Sequence, residues 1–115
     1  MSARSPITTH VLDTRSGAPA QGLAITLSRS DEGVWRELAS GVTNADGRIA
    51  DLLEPGTLTP GLYEMHFNTG AYHDQLGLEG FYPEVRVNFE IKRVDEHYHV
   101  PLLLSPFGYS TYRGS

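Results

Sequence analysis

Apolar positions along the chain fall into short alternating runs, each closed by turn-forming residues within about ten positions. Residues 22–28 set Leu23, Ile25 and Leu27 against small partners, which predicts a strand with one buried face. Residues 34–42 repeat the alternation through Val34, Arg36 and Leu38, interrupted at Gly41. Residues 85–91 alternate Val85, Val87, Phe89 and Ile91 with Arg86, Asn88 and Glu90. Further strands are expected at 7–13, closed by the turn material of 15–19, and at 62–67, 97–104 and 109–112, with a very short one at 48–50. Asp46-Gly47 marks a tight reversal before 48–50, since this dipeptide readily supplies the positive φ that such turns need. The one helix-like stretch is 69–77, with Thr69 as candidate cap and Gly77 as the stop. Pro6, Pro55, Pro60, Pro83, Pro101 and Pro106 suit strand ends and edges, where no ladder donor is lost. Seven or eight short strands with regular turns and one brief helix predict an all-β sandwich.

A chain of 115 residues is one domain, 1–115, and is long enough for a core without covalent staples. Cysteine is absent, which excludes disulfides, thiolate nucleophiles and zinc–thiolate sites and fits a reducing compartment such as the cytoplasm. Nine Lys and Arg against fourteen Asp and Glu leave a net charge of −5, with the basic residues scattered; nucleic acid is not an expected partner. The opening Met-Ser-Ala-Arg-Ser-Pro has no apolar export signal. Runs such as Leu102-Leu103-Leu104 are far too short to span a membrane.

Candidate chemistry rests on five histidines, the carboxylates and a few hydroxyls. His97-Tyr98-His99 puts two imidazoles on one face of a strand, because side chains alternate with period two. Such a pair suits a zinc site, a proton-handling pair, or simply a polar sheet face. His10, alone in the first strand, and Arg48, just past the Asp46-Gly47 turn, carry no chemistry by themselves: a strand histidine is more often structural, and an arginine at a turn is ordinarily solvated. Nothing raises His66 or His73 above surface or packing roles. No phosphate-binding glycine loop, nucleophile elbow or His-Glu-x-x-His motif is present.

Three spaced segments carry a resemblance. Ile7-Thr8-Thr9-His10-Val11-Leu12-Asp13, followed by Gly17-x-Pro19-Ala20 and Gly22-Leu23, resembles the opening signature of the 5-hydroxyisourate hydrolases of the transthyretin-related family. The stretch from His97-Tyr98-His99-Val100-Pro101 through Ser105-Pro106-Phe107-Gly108-Tyr109 resembles their second signature. Tyr112-Arg113-Gly114-Ser115 matches the family's terminal tetrapeptide. Asp46-Gly47-Arg48 and Phe81-Tyr82-Pro83-Glu84-Val85 match as well, so the likeness spans the chain from about Pro6 onward.

The resemblance implies two four-stranded sheets in a transthyretin-like sandwich, dimers joined edge to edge by the last strands, and two dimers packed into a homotetramer around a channel. It implies hydrolysis of 5-hydroxyisourate to 2-oxo-4-hydroxy-4-carboxy-5-ureidoimidazoline in urate breakdown, without cofactor or metal. His10, Arg48 and His99 become the catalytic candidates, and Tyr112, Arg113, Gly114 and Ser115 the substrate-binding ones. Imidazoles exchange protons near neutral pH, and a guanidinium offers fixed donors to the oxygens of a urate-like ring. A transthyretin-like hormone carrier is the nearest rival, but it has no need of His10, Arg48, His99 and the tetrapeptide together. A metal-binding sandwich using His97 and His99, with or without His10, is the other.

Overall fold

Residues 4–115 are described by a computed structural model; residues 1–3, the start of the stretch read for an export signal, lie outside the described residues. In chain order the elements are β1 (Ile7–Thr8), β2 (Val11–Asp13), β3 (Ala18–Pro19), β4 (Ala24–Asp31), β5 (Val34–Val42), β6 (Gly61–Phe67), α1 (Thr69–Gln75), β7 (Val85–Ile91), β8 (Tyr98–His99), β9 (Leu102–Ser105) and β10 (Gly108–Thr111). One four-stranded sheet has the order β10-β9-β2-β3 and the other β5-β4-β6-β7, with β1 and β8 forming a short parallel pair. This is the expected all-β sandwich with one helix.

Between the sheets lie Val11, Ile25, Leu27, Tyr63, Met65, Phe67, Val85, Ile91, Leu102 and Leu104, all buried. The alternation of 22–28 is therefore read out as predicted, with Leu23, Ile25 and Leu27 inward. In β5 it is not. Leu27 faces Ala39 and Ser28 faces Glu37, so Leu38 is the extra residue of a β-bulge. The bulge turns Ala39 and Gly41 toward the core, while Val34, Leu38 and Val42 stay exposed.

The expected single strands 7–13 and 97–104 each form two pieces. Ile7 faces Tyr98 and Val11 faces Leu102 at the same offset, so one parallel ladder runs through both pieces. Val100 and Leu102 donate across the break to the carbonyls of Thr8 and His10 at 2.8 and 2.9 Å. Pro101, which has no N–H, sits at the break. Two local expectations are corrected. Residues 48–50 form no strand; Arg48 makes a single bridge to His10, and Ile49 packs against Gly41. Thr69 does not cap α1: Asn68 precedes the helix without a side-chain cap, and the Thr69 hydroxyl donates to the Tyr82 carbonyl at 2.8 Å. Gly77 does end the helical stretch, with φ +70°. Tyr72 ties the helix to β2 by donating to Asp13 at 2.8 Å; burial, then Asp13, pushes its hydroxyl pKa up to about 12.

Candidate active site

Four chain segments lie side by side at one end of the β10-β9-β2-β3 sheet. At the centre, residues 7–11 bury Ile7, Thr9 and Val11 and leave Thr8 and His10 half-buried; Thr8 lines a cleft that His10 does not. On one side Arg48 bridges His10; on the other β8 places His99 opposite Thr8. Beyond β8 the tail returns, the Gly114 amide donating to the His99 carbonyl at 2.9 Å. The pairing of β1 with β8 and the two bridges thus gather His10, Arg48 and His99, residues far apart in sequence.

Each flank depends on a glycine. Gly47 has φ +74°, and a Cβ there would lie 2.4 Å from the Val11 carbonyl oxygen and 3.3 Å from the His10 ring. Asn44 holds this turn by accepting from the amides of Asp46 and Arg48 at 2.9 and 3.1 Å. On the opposite flank, a Cβ at Gly114 would lie 2.4 Å from His99 Cδ2. Close approach to the imidazole is what Gly114 serves there; among the glycines with positive φ it does not figure.

The cleft has a volume of about 310 Å³ and is lined by Arg4, Thr8, Thr9, Arg48, Ile49, Ala50, His97, His99 and Ser115. Thr8 was not singled out from the sequence, yet its hydroxyl lies 2.8 Å from His97 Nε2 and 2.8 Å from His99 Nδ1. The signal was present: Thr8 shares the His10 face by the period-two rule. Burial holds both the His97 and the His99 imidazole below the ordinary histidine pKa; the Arg4 charge adds to this at His97, and Arg48, His97 and His10 add to it at His99.

The tail residues separate. Ser115 reaches the cleft, whereas Tyr112 and Arg113 line an adjoining cavity of about 250 Å³ between β7 and the tail, to which His99 also contributes. The Arg113 guanidinium donates to Glu96 at 3.0 Å and to the His97 carbonyl at 3.3 Å, and stacks 4.5 Å over the Tyr98 ring. These contacts keep the Glu96 carboxyl below its usual range, with Arg113 the first cause and Arg93 assisting. The other histidines lie elsewhere. His66 meets Glu84 at 2.7 Å on β6, and His73 is buried in α1 against Gly80. Among the described residues, no three His, Asp or Glu side chains converge closely enough to hold a metal ion.

A sandwich of two four-stranded sheets with histidines and an arginine at the end of one sheet defines a transthyretin-like domain carrying a polar, histidine-lined cleft. The sequence profile described as HIUase/Transthyretin family matches residues 7–114, and the chain belongs to that family. It is 52% identical over 113 residues to the mouse 5-hydroxyisourate hydrolase, covering 96% of each chain. The crystal structure of Sparus aurata transthyretin superposes with a TM-score of 0.91 at 34% identity, covering 96% of this chain and 97% of that one. The Klebsiella pneumoniae 5-hydroxyisourate hydrolase superposes with a TM-score of 0.82 at 39% identity, covering 95% and 92%.

Proposed function

We propose that this chain hydrolyses 5-hydroxyisourate to 2-oxo-4-hydroxy-4-carboxy-5-ureidoimidazoline in urate breakdown, in the cleft lined by Arg48 and His99, with His10 beside it. The observation that carries this reading is that strand pairing brings Arg48 and His99 to one cleft beside a docked tail, with His10 bridged to Arg48 next to it. The names of the relatives, from mouse to Klebsiella, support the substrate.

The chemistry follows from the groups present. One imidazole takes a proton from water as the water oxygen bonds to a ring carbonyl carbon. Arg48 donates to the oxygen on which negative charge develops. The carbon–nitrogen bond then breaks, and the other imidazole protonates the departing nitrogen, leaving a carboxylate. Each proton transfer contributes about 10²–10⁴-fold. Burial, then Arg48 and the neighbouring histidines, lowers the His99 pKa and so favours the neutral form a base requires. A cleft of about 310 Å³ suits a small planar heterocycle. Ser115 closes its wall, Gly114 packs against His99, Tyr112 borders the adjoining cavity, and Arg113 serves by anchoring the tail.

The assembly belongs to the same reading: a homotetramer, a dimer of dimers in the cytoplasm, with the sites facing its central channel. Edge strands β10 and β7 pair with symmetry mates, which removes exposed ladder groups. The test is the ultraviolet decay of freshly generated 5-hydroxyisourate with wild type, with His99→Asn and with no protein, each repeated with a chelator. Rapid decay with wild type alone, indifferent to chelator, is expected. A rate equal to the uncatalysed one removes the proposal.

A further inference from the structure

The Thr8 hydroxyl sits between two imidazole nitrogens, 2.8 Å from His97 Nε2 and 2.8 Å from His99 Nδ1. Among the described residues these are its hydrogen-bonding partners. A hydroxyl has one proton to give and two lone pairs to offer, so the two nitrogens cannot both accept from it. Either one nitrogen accepts from the hydroxyl while the other donates to it, or both donate to its two lone pairs. The ring nitrogen of His99 left for substrate is Nε2, because Nδ1 is taken by Thr8. Which nitrogen of a histidine carries its proton is set by the bond the other one makes.

We infer that Thr8 and His97 are positioning residues: the Thr8 hydroxyl passes the protonation of His97 to Nδ1 of His99, and so decides whether Nε2 meets the substrate as a base. This rests on His99 acting in the hydrolysis proposed above. When His97 Nε2 is bare, Thr8 donates to it and accepts from His99 Nδ1–H, which leaves the lone pair on His99 Nε2. The same arrangement steadies the imidazolium formed when Nε2 takes the water proton, since Nδ1–H keeps its acceptor. When His97 Nε2 carries a proton, it donates to Thr8 and frees the hydroxyl proton for His99 Nδ1; in that arrangement Nε2 of neutral His99 holds a proton and cannot act as a base. The other charged or titratable groups facing the pair are Arg4, Arg48 and His10, with Arg113 held on the His97 carbonyl by its bond to Glu96. The cations oppose protonation of the pair, and burial does the same.

The test uses the full chain with ¹⁵N-labelled histidine, together with Thr8→Val, Thr8→Ser and His97→Ala. At neutral pH the wild-type His99 nitrogens should show one dominant tautomer with the proton on Nδ1, and Thr8→Val should show a mixture. Thr8→Val should lower kcat by about 10–100-fold with KM within about threefold, and Thr8→Ser should restore most of it. His97→Ala should remove one titration from the acid limb of kcat. Mixed tautomers in wild type overturn the inference, as does a Thr8→Val enzyme with unchanged kcat. A Thr8→Val loss that serine does not restore, accompanied by a lower melting temperature, assigns Thr8 to packing and overturns it too. His99→Asn separates the two levels. If that variant is inactive while Thr8→Val is normal, only the relay fails; if it is fully active, the hydrolytic role of His99 fails with it.

Discussion

Gly114→Ala places a methyl carbon 2.4 Å from His99 Cδ2 and 3.1 Å from Cγ, so either the ring or the tail must move. The ring is held by Thr8 at Nδ1 and by a strand on its inner side. The tail is held by less. Its Gly114 amide bond contributes about 0.5–1.5 kcal/mol, the Arg113 stack on Tyr98 about 0.5–1 kcal/mol, and the exposed Arg113–Glu96 pair little more. Release of the tail therefore costs about 1–2.5 kcal/mol, less than displacing a half-buried ring held on both sides, and the tail should lift. Two consequences can be measured. Turnover should fall by about 10²-fold, because the wall of the cleft is displaced. The melting temperature should fall by less than about 10 °C, and never below that of a chain lacking residues 112–115, since a released tail cannot cost more than a missing one. Calorimetry on both variants, with the ultraviolet assay, decides it. A Gly114→Ala protein that melts below the truncated chain, or that turns over like wild type, refutes the reasoning.

His10→Asn and His99→Asn should each lower turnover by about 10²-fold or more with unchanged circular dichroism, while His66→Asn stays near wild type, as steady-state kinetics will show. His73→Asn should spare turnover but lower the melting temperature, because the ring is buried against Gly80. A depressed His99 pKa keeps the base neutral to lower pH, so the acid limb of the rate profile should lie below the ordinary histidine value of about 6.5; Arg48→Gln, which removes one depressing charge, should move that limb upward in the residual activity. Folding stability should follow the same sign, full above about pH 6.5 and declining as acid protonates His97 and His99 more readily in the unfolded chain than in the folded one. Sedimentation at micromolar concentration should give a tetramer; a monomer rejects the assembly.

Alternating patterns were legible wherever a strand lies between two neighbours, as at Leu23, Ile25 and Leu27. They misled at β5, where a bulge at Leu38 reverses which residues face inward. A bulge is a pairing event with β4, so nothing local in 34–42 announces it. Thr69 met the composition rule for a cap, but a tertiary acceptor, the Tyr82 carbonyl, claimed its hydroxyl. At the site, residue types singled out His97 and His99, and the family resemblance added His10 and Arg48. Neither reached Thr8, whose importance comes from the parallel register that sets it opposite His99. The direction of each tail side chain was equally hidden, since it depends on the antiparallel bridge at Gly114.

The backbone of this chain lies nearer to a transthyretin than to a hydrolase among the solved structures compared, although its sequence leans the other way. Backbone likeness therefore does not rank the functions. Two of the three imidazoles at this end are walled by glycine, His10 by Gly47 and His99 by Gly114. A side chain at either position would press on a ring, so the two glycines let main chain pack directly against the groups that must stay fixed. Proton transfer loses efficiency with small errors in position, which makes rigid walls around an imidazole worth the conformational cost of glycine. A cavity that only encloses an apolar ligand gains nothing from such walls. The paired glycines, with Arg48 and the Thr8 bridge, give this sheet end the fixed walls that the proposed hydrolysis requires.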